Sequence, residues 1–284
     1  MLEKRSLRPV RCANCSMVYA NPVSEDLAAG TFYDRLADFY LSREKLQSDY
    51  ASVRYERELR LFRTYCPGGD VLDVGCSTGA FLFQLKNRWP DEYRIAGTDV
   101  VSRALEYAAG RGVEVLRGSF LEHDFGARRF DAVTFWAVLE HVAEPKQFLR
   151  RAAEVMQPGA WAFLLVPNFN SLAVRLLGAK YRYLMPDHLN YFTAATLRKL
   201  TMTESAFEFM DLRSIHFNPI VIWQDFRRGG GPVAEAERAT LLHRTTALKQ
   251  APLLKPLKMF YSGVEYCLGR MGLADNLVAV LRRR

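Results

Sequence analysis

The sequence of 284 residues has few cysteines and no long apolar run. Its five cysteines are an odd number without a regular framework, which argues against a disulfide-stabilised secreted domain and suits a reducing cytoplasm. No stretch approaches the roughly 18 consecutive apolar residues of a membrane span. The start of the chain also lacks the apolar core of a signal peptide. These absences predict a cytoplasmic protein without a membrane span.

Two nucleotide-binding motifs are also missing. Without GxGxxG a nicotinamide dehydrogenase is not favoured, and without Gly-Lys-Ser/Thr a P-loop is excluded. The composition, 49% hydrophobic and 25% charged, is that of a globular protein with a full core. The net charge of +8 favours an anionic or nucleotide-linked small molecule, or a membrane surface, as a partner. The alternative is that the excess lysines and arginines only lie on a solvent-exposed face. The sequence has no basic motif interleaved with aromatic residues, so a nucleic-acid partner is not predicted. The oligomeric state is not predicted either.

The most informative segment is Val71–Phe81, where an apolar strand runs through a glycine-bracketed turn into a helix. Asp73 lies near the end of this strand, and Gly75 and Gly79 let a ligand approach the backbone closely. Roughly 26 residues after Asp73, a second apolar strand ends at Asp99, whose carboxylate could accept from both hydroxyls of a ribose. Together the two strand ends predict a site for a nucleotide-like cofactor.

Strand and helix patterns alternate from about residue 66 to 170, which predicts a parallel sheet with helices on both faces. Beyond it, Leu172–Leu177 is helix-like, Thr193 caps a helix to Thr203, and Phe207–Phe217 is a further strand. Asn276–Leu281 is a closing antiparallel strand or the end of a helix. The expected division is a knuckle-like and helical cap (1–65), a cofactor core (66–170) and substrate-side insertions with the remaining strands (171–284).

From about Tyr65 to Phe217 the chain resembles the class I methyltransferases that use S-adenosylmethionine. Phe130–Trp136 resembles their fourth strand, and the LEHV sequence follows it at residues 139–142. Met156–Asn168 resembles their proline-glycine turn and fifth strand. The resemblance implies an α/β fold with a Rossmann-like, doubly wound sheet of seven strands. This sheet is mostly parallel with one antiparallel strand, helices cover both faces, and helical segments are added at the N-terminus and as insertions.

The resemblance also implies S-adenosylmethionine as the cofactor and assigns residues to it. Asp73, Gly75 and Gly79 hold the methionine end, and Asp99 takes the ribose. Ser77 stands where the family usually has a third glycine. Ser119 replaces an aspartate that reads the adenine, Phe120 packs on the ring, and Trp136 lines the cofactor or fills the sheet edge. The predicted cofactor-binding residues are Asp73, Gly75, Cys76, Ser77, Gly79, Asp99, Val100, Ser119, Phe120 and Trp136.

Two histidines are candidate bases for methyl transfer, because histidine titrates near neutrality. His188 is the first candidate, since the segment Asp187–Thr193 resembles one whose histidine faces the acceptor in sugar and small-molecule methyltransferases. His141 follows the fourth strand and is the second candidate. For each histidine the alternative is a structural role. Glu140 and His141 also resemble part of the acidic metal site of quinone O-methyltransferases. Because that site needs a carboxylate where this chain has Ala137, no metal is predicted.

Other interpretations stay open. Gly75–Gly79 also matches GxSxG, which would make Ser77 the nucleophile of a hydrolase, and a non-catalytic cofactor-binding module is a further alternative. Cys12 and Cys15 resemble the second half of a cysteine knuckle, as a metal-free remnant or as zinc ligands shared with Cys66 or another chain. The favoured function is methylation of a small-molecule acceptor, such as a sugar or secondary metabolite.

Two helical patterns carry expectations about surfaces. Leu253–Leu268 has apolar residues at helical spacing interleaved with lysines, so it packs on its own domain or, less favoured, lies on a membrane or partner. In the N-terminal helices, Tyr33, Tyr40 and Tyr50 are candidate acceptor contacts, although tyrosines on a helix face are usually core.

Overall fold

A computed structural model describes residues 9–28, 31–185, 187–229, 237, 239–241, 243, 246 and 255–284. The glycine-rich stretch Gly229–Pro232, whose composition predicts a break between helical segments, lies outside these residues from Gly230 onward, as do the start of the chain and Pro186. The described strands are β1 (Pro9–Arg11), β2 (Val18–Ala20), β3 (Gly69–Val74), β4 (Tyr93–Asp99), β5 (Glu114–Arg117), β6 (Phe130–Trp136), β7 (Met156–Pro167), β8 (Asn190–Tyr191), β9 (Phe207–Ile215) and β10 (Asn276–Arg283).

Helices connect these strands on both faces of the main sheet. They are α1 (Glu25–Ala28), α2 (Ala37–Tyr40), α3 (Arg43–Asp49), α4 (Glu56–Tyr65), α5 (Ala80–Arg88), α6 (Ser102–Gly110), α7 (Pro145–Val155), α8 (Leu172–Leu177), α9 (Ala194–Met202), α10 (Pro219–Arg228) and α11 (Lys255–Arg270), with 3-10 turns at Thr31–Leu36 and Gly178–Lys180. The predicted start of α9 is confirmed, because Thr193 forms a capping box with Thr196.

The main sheet has seven strands in the order β5-β4-β3-β6-β7-β10-β9. The pairings from β5 to β7 are parallel, whereas β10 is antiparallel to both β7 and β9. The predicted fold class is therefore confirmed. Of the two interpretations of Asn276–Leu281, the antiparallel strand is confirmed and the helix end is wrong. Strand β10 lies inside the sheet and not at its edge.

Buried side chains cover both faces of this sheet. Neighbouring residues of a strand point to opposite faces, so Leu72 belongs to one apolar core with Phe135 and Leu164. Val71 belongs to the other core, on the side of Leu82. A sheet buried on both sides needs near-continuous apolar strands. This explains why its strands were readable from the sequence, and it places the carboxyl ends of β3, β4 and β6 at one edge.

The N-terminal hairpin β1-β2 joins a second sheet with β8. Val18 pairs with Tyr191, and the Ala20 amide donates to the Leu189 carbonyl at 2.9 Å. The hairpin thus contacts the segment that carries His188. In the described part of the chain, neither cysteine of the hairpin belongs to a group of three or more possible metal ligands. Cys66 instead lies in the core beside α4, which gives no support to zinc shared with Cys66.

Helix α11 only partly follows its predicted packing. Tyr261, Val264 and Leu268 are half-buried as expected, whereas Phe260 is 72% exposed. The reason is Glu265, which is buried and ion-paired to Arg57 of α4 at 2.5 Å. This pair sets the rotation of the helix about its axis and turns Phe260 outward. Within the part of the chain that the structure describes, no helix is long and apolar enough to cross a bilayer.

Candidate active site

The loop after β3 has three residues in the left-handed backbone region. Gly75 has φ of 70°, Gly79 has φ of 75°, and Ser77 has φ of 51°. A Cβ on Gly75 would lie 2.6 Å from a methyl group of Val138, so only glycine fits there. Ser77 adopts the conformation that a third glycine would take, at a moderate backbone cost. Ser77 therefore keeps the left-handed conformation at this position of the loop.

The two predicted carboxylates lie at the carboxyl ends of adjacent strands, as expected. Asp73 is buried and accepts from the Thr134 hydroxyl at 2.6 Å. Burial, with a contribution from Asp99, raises the pKa of Asp73 to about 8 despite that hydrogen bond. Asp99 accepts from the amides of Ser77 at 2.7 Å and Val101 at 2.9 Å. Each carboxylate oxygen has a second lone pair, so these bonds leave Asp99 able to accept from a ribose.

Several buried polar atoms around this edge have no hydrogen-bond partner within the described residues. They are the hydroxyl oxygens of Ser77 and Tyr33, the indole nitrogen of Trp136 and Oε2 of Glu140. An unpaired buried polar group is costly. A ligand with both donors and acceptors, such as the predicted cofactor, therefore fits this edge.

The other predicted cofactor residues have different surroundings. Val100 is 48% exposed at the rim, and the Ser119 hydroxyl accepts from the Leu121 amide at 3.3 Å. The Cys76 thiol packs against Gly97, where a Cβ would meet its sulfur at 2.6 Å. Trp136 packs on Phe81 with ring centroids 5.0 Å apart while its nitrogen stays unpaired, which agrees with both of its suggested roles.

Phe120 lies in the core. It is 4% exposed, and its ring packs on the rings of Phe125, Phe135 and Phe148. The sequence placed it correctly after β5 but could not show which way the ring points. Its contact with an adenine stays a prediction.

The two candidate histidines are in contact. Their ring centroids are 4.7 Å apart in an edge-to-face arrangement, although they are far apart in sequence. Nδ1 of His141 lies 2.9 Å from the carbonyl oxygen of Asp187 and 3.6 Å from its carboxylate. A carbonyl oxygen only accepts, so in the neutral ring Nδ1 carries the hydrogen and Nε2 carries the lone pair. His141 is half-buried, whereas His188 is 4% exposed behind it.

Backbone hydrogen bonds clamp the His188 segment onto the loop after β6. The amides of Leu189 and Asn190 both donate to the Glu140 carbonyl, at 2.6 and 3.0 Å. The Asn190 side chain donates to the carbonyls of Leu139 at 3.1 Å and Val142 at 2.7 Å. Sequence reasoning missed Asn190 and Asp187 as positioning residues, although both flank His188 in the segment that drew attention to it.

Glu140 adds a buried carboxyl to this cluster. It is 1% exposed, and burial raises its pKa to about 8, so it is largely protonated at neutral pH. Its ligand atoms and those of His141 and His188 all lie within 4.8 Å of one another, a group that could hold a metal ion. The expectation of no metal therefore stays a prediction that chelation must test.

The N-terminal segment covers this edge. Tyr33 packs edge-on against His141 with centroids 5.6 Å apart, and the Tyr50 hydroxyl donates to the Thr78 carbonyl. Gln84 of α5 donates to the carbonyls of Asp49 and Ala51 and so fixes the end of α3. Tyr33 and Tyr50 thus lie at this edge, and their contact with an acceptor stays a prediction. Tyr40 packs, together with Tyr33, against a small core that contains Val101 and Ala104.

Two other features do not form an active site. A cavity lined by Gly69, Tyr93 and Arg94 lies at the amino ends of β3 and β4, away from the candidate residues. The Ser77 hydroxyl is buried and has no partner in the described residues that could activate it. The hydrolase alternative therefore has no structural support.

Comparisons with known proteins agree with this geometry. A family model described as a methyltransferase domain matches residues 44–206. The ubiquinone biosynthesis O-methyltransferase of Thiobacillus denitrificans is 29% identical over 180 residues, which cover 57% of this chain and 75% of the relative.

Two solved structures are similar in fold. One, from Thermotoga maritima, is described as a SAM-dependent methyltransferase, possible histamine N-methyltransferase, with a TM-score of 0.56, 18% identity and coverage of 89% of this chain and 99% of that one. The other is N-methyltransferase NodS from Bradyrhizobium japonicum, with a TM-score of 0.52 and 15% identity. This match covers 88% of this chain and 97% of that one. At these identities the likeness shows the fold alone.

The family model spans more than half of the chain and covers β3 to β8, and with them Asp73, Asp99, His141 and His188. The comparisons give no support to a hydrolase. The chain therefore belongs to the methyltransferase-domain family and is a class I methyltransferase that uses S-adenosylmethionine.

Proposed function

We propose that the chain methylates a hydroxyl oxygen of a small-molecule acceptor, with the His141–His188 pair serving proton removal. The observation that supports this proposal is the contact between the two imidazoles beside Asp187, at the edge where β3 and β4 end. A hydroxyl is a weak nucleophile until a base takes its proton, whereas a neutral amine is already nucleophilic. A preorganised base therefore favours an oxygen acceptor.

The division of roles follows from exposure and tautomer. When bound, S-adenosylmethionine supplies an electrophilic methyl group. His141 is the more accessible imidazole, and the Asp187 carbonyl fixes its tautomer so that Nε2 can accept a proton. This geometry favours His141 as the base and His188 as the buried partner that orients it, the reverse of the order suggested by the sequence.

Cofactor binding is assigned to the ends of β3 and β4 at the same edge. Asp99 accepts from the ribose, and Asp73 with the loop from Gly75 to Gly79 holds the methionine end. Cys76, Ser77, Val100, Ser119 and Trp136 complete the proposed cofactor surroundings. Tyr33, whose buried hydroxyl is unpaired within the described residues, faces His141 and is the proposed acceptor contact.

Two classes of acceptor are proposed. The printed name of the ubiquinone-pathway relatives supports oxygen as the methylated atom, so a phenolic hydroxyl is the first choice. A sugar hydroxyl is the second, from the resemblance around His188. That the acceptor is anionic or nucleotide-linked stays a prediction from the net charge of +8. The cytoplasm is the proposed location, and the division at residues 65 and 170 is kept as a proposal.

Calorimetric titration tests the cofactor half. We expect micromolar binding of S-adenosylmethionine and S-adenosylhomocysteine and none of NAD. Asp99→Asn should weaken binding at least tenfold, because it loses the charge that favours the ribose hydroxyls. Asp91→Asn, an exposed carboxylate at the other edge, is the matched control. Equal affinities for the two variants would contradict the ribose assignment.

An acceptor screen tests the chemistry. Radiolabelled methyl transfer is measured with catechols, hydroquinones and sugar nucleotides, in buffer with and without EDTA. His141→Ala should lower kcat at least a hundredfold at unchanged cofactor affinity, His188→Ala less, and His123→Ala not at all. If EDTA abolishes activity and a divalent metal restores it, the Glu140–His141–His188 cluster is a metal site and the base assignment is wrong.

A further inference from the structure

Helix α10 exposes an apolar face. Ile220 is 37% exposed, Trp223 57% and Phe226 69%, and their spacing of three residues places them on one side of the helix. The opposite side holds Val221 and Asp225, which are buried. Large aromatic side chains in such a row are unusual on a surface that faces only water.

Helix α11 has a similar face. Met259 is 77% exposed, Phe260 72% and Tyr266 68%, and Met271, just after the helix, is 68% exposed. Helix α11 contacts the segment that leads into α10, where the Tyr261 hydroxyl donates to the carbonyl of Phe217, two residues before α10. The exposed apolar residues of both helices therefore lie on neighbouring elements.

On these two helices the acidic side chains are buried, whereas the arginine side chains are exposed. Their acidic residues, Asp225 and Glu265, are 2% and 4% exposed, and each is ion-paired to an arginine. The charged side chains that the structure shows reaching solvent on these helices are Arg227, Arg228 and Arg270. Arg227 stacks over Trp223 at 4.9 Å, and Arg228 pairs with Glu237. Apart from that pair, the outward charge is positive.

We propose that α10 and α11 form a docking surface for an anionic phospholipid bilayer. Aromatic and methionine side chains flanked by arginines suit the boundary between headgroups and acyl chains, and the arginines are attracted to anionic lipids. The net charge of +8 acts in the same direction. A second copy of the same face is disfavoured, because it would set arginines against arginines.

This surface is connected to the candidate active site. Asp225 of α10 accepts from the backbone amide and Nε of Arg182, both at 2.8 Å. Arg182 lies in the segment that leads to His188, so the docked helix and the acceptor side form one packed unit. The inference that a lipid-dissolved acceptor enters from this side rests on the proposed function. Membrane binding itself does not, so it is measured without methyl transfer.

The test is flotation of the full chain with vesicles of phosphatidylcholine alone or with phosphatidylglycerol added. One variant, Trp223→Ser/Phe226→Ser, removes the aromatic residues, and another, Arg227→Gln/Arg270→Gln, removes positive charge. Met202→Ser, an equally exposed apolar residue on α9, and Lys146→Gln, an exposed lysine on α7, are matched controls. Thermal melting confirms that each variant is folded.

We expect the wild-type chain and both controls to float with anionic vesicles and to be released by salt. The aromatic variant should bind at least tenfold more weakly, and the arginine variant should lose its preference for anionic vesicles. No binding by the wild-type chain, or equal binding by the aromatic variant, would overturn the proposal. Self-association that the serine variant abolishes, without vesicle binding, would identify a second copy as the occupant instead.

Discussion

At the scale of single residues, Asp73 links cofactor binding to pH. Burial raises its pKa to about 8, and a cationic cofactor favours its ionised form. Below that pKa, binding must release a proton, so affinity should rise as the pH increases from 6 to 8, by up to about tenfold per pH unit. Calorimetry in two buffers of different ionisation enthalpy measures both the affinity and the proton release.

Two variants test whether the Asp73 carboxyl causes this pH dependence. Asp73→Asn should bind more weakly and with little pH dependence. Asp70→Asn, on the same strand but paired with Arg94 near the surface, should keep the wild-type dependence. A wild-type affinity that does not change between pH 6 and 8 would contradict the role given to Asp73.

Ser77 gives a second prediction at this scale. Its left-handed backbone costs an L residue about 1 kcal/mol, which glycine avoids while losing a similar amount of unfolded-chain entropy. Ser77→Gly should therefore change the free energy of unfolding by less than about 1 kcal/mol and retain cofactor binding. Ser77→Val, which is β-branched, should lose about 2 kcal/mol. Urea denaturation distinguishes the two, and equal stabilities would show that the loop relaxes.

At the scale of elements, the clamp between β8 and the loop after β6 positions the histidines. Asn190→Leu removes two hydrogen bonds and leaves the carbonyls of Leu139 and Val142 without that donor, at a cost of about 2 kcal/mol. We expect kcat to fall at least tenfold while the cofactor Kd stays within twofold, because Asp73 and Asp99 lie on other strands. Asn87→Leu on the surface of α5 is the control. A weakened cofactor Kd with unchanged kcat would contradict this positioning role.

The elements differ in how far the sequence predicts them. Strands β3, β4, β6 and β7 were predictable because burial on both faces leaves continuous apolar runs. The approach of Asp73 to Asp99 was predictable because parallel strands end at the same edge. The pairing of Val18 with Tyr191 was not, since a register between distant short strands leaves no local pattern. The outward turn of Phe260 likewise depends on an ion pair that the buried Glu265 forms with Arg57 of a distant helix.

At the scale of the whole molecule, buried carboxyls should set the pH of greatest stability. Burial raises the pKa of Glu140 to about 8, above its ordinary 4.5. The unfolded chain then ionises first, so stability falls as pH rises from about 5 to 8. Glu58 acts in the opposite direction. Burial raises its pKa, but His216 and Arg54 outweigh this effect and lower the pKa to about 2. The contribution of Glu58 to the free energy of unfolding is therefore lost as the pH falls below 4.5. The maximum should lie near pH 5.

Glu140→Gln tests this balance. It removes the ionisation cost, so its free energy of unfolding should fall less than that of the wild-type chain between pH 5 and 8, by an amount on the order of a few kcal/mol. Glu122→Gln, an exposed residue after β5, should keep the wild-type slope. Urea titrations at each pH provide the measurement. Identical slopes for all three proteins would mean that Glu140 does not carry this cost.

The position of β10 inside the sheet has a consequence for synthesis on the ribosome. Among the described strands, β9 pairs with β10 alone, and β10 separates it from β7. While residues 276–283 are still within the exit tunnel, β7 therefore presents an open edge and β9 has no partner strand. The nascent cofactor loop is complete long before this, but the sheet closes only after β10 emerges and inserts between strands that are already made. A chain stalled shortly before that point would expose two strands at once and depend on chaperones to avoid aggregation.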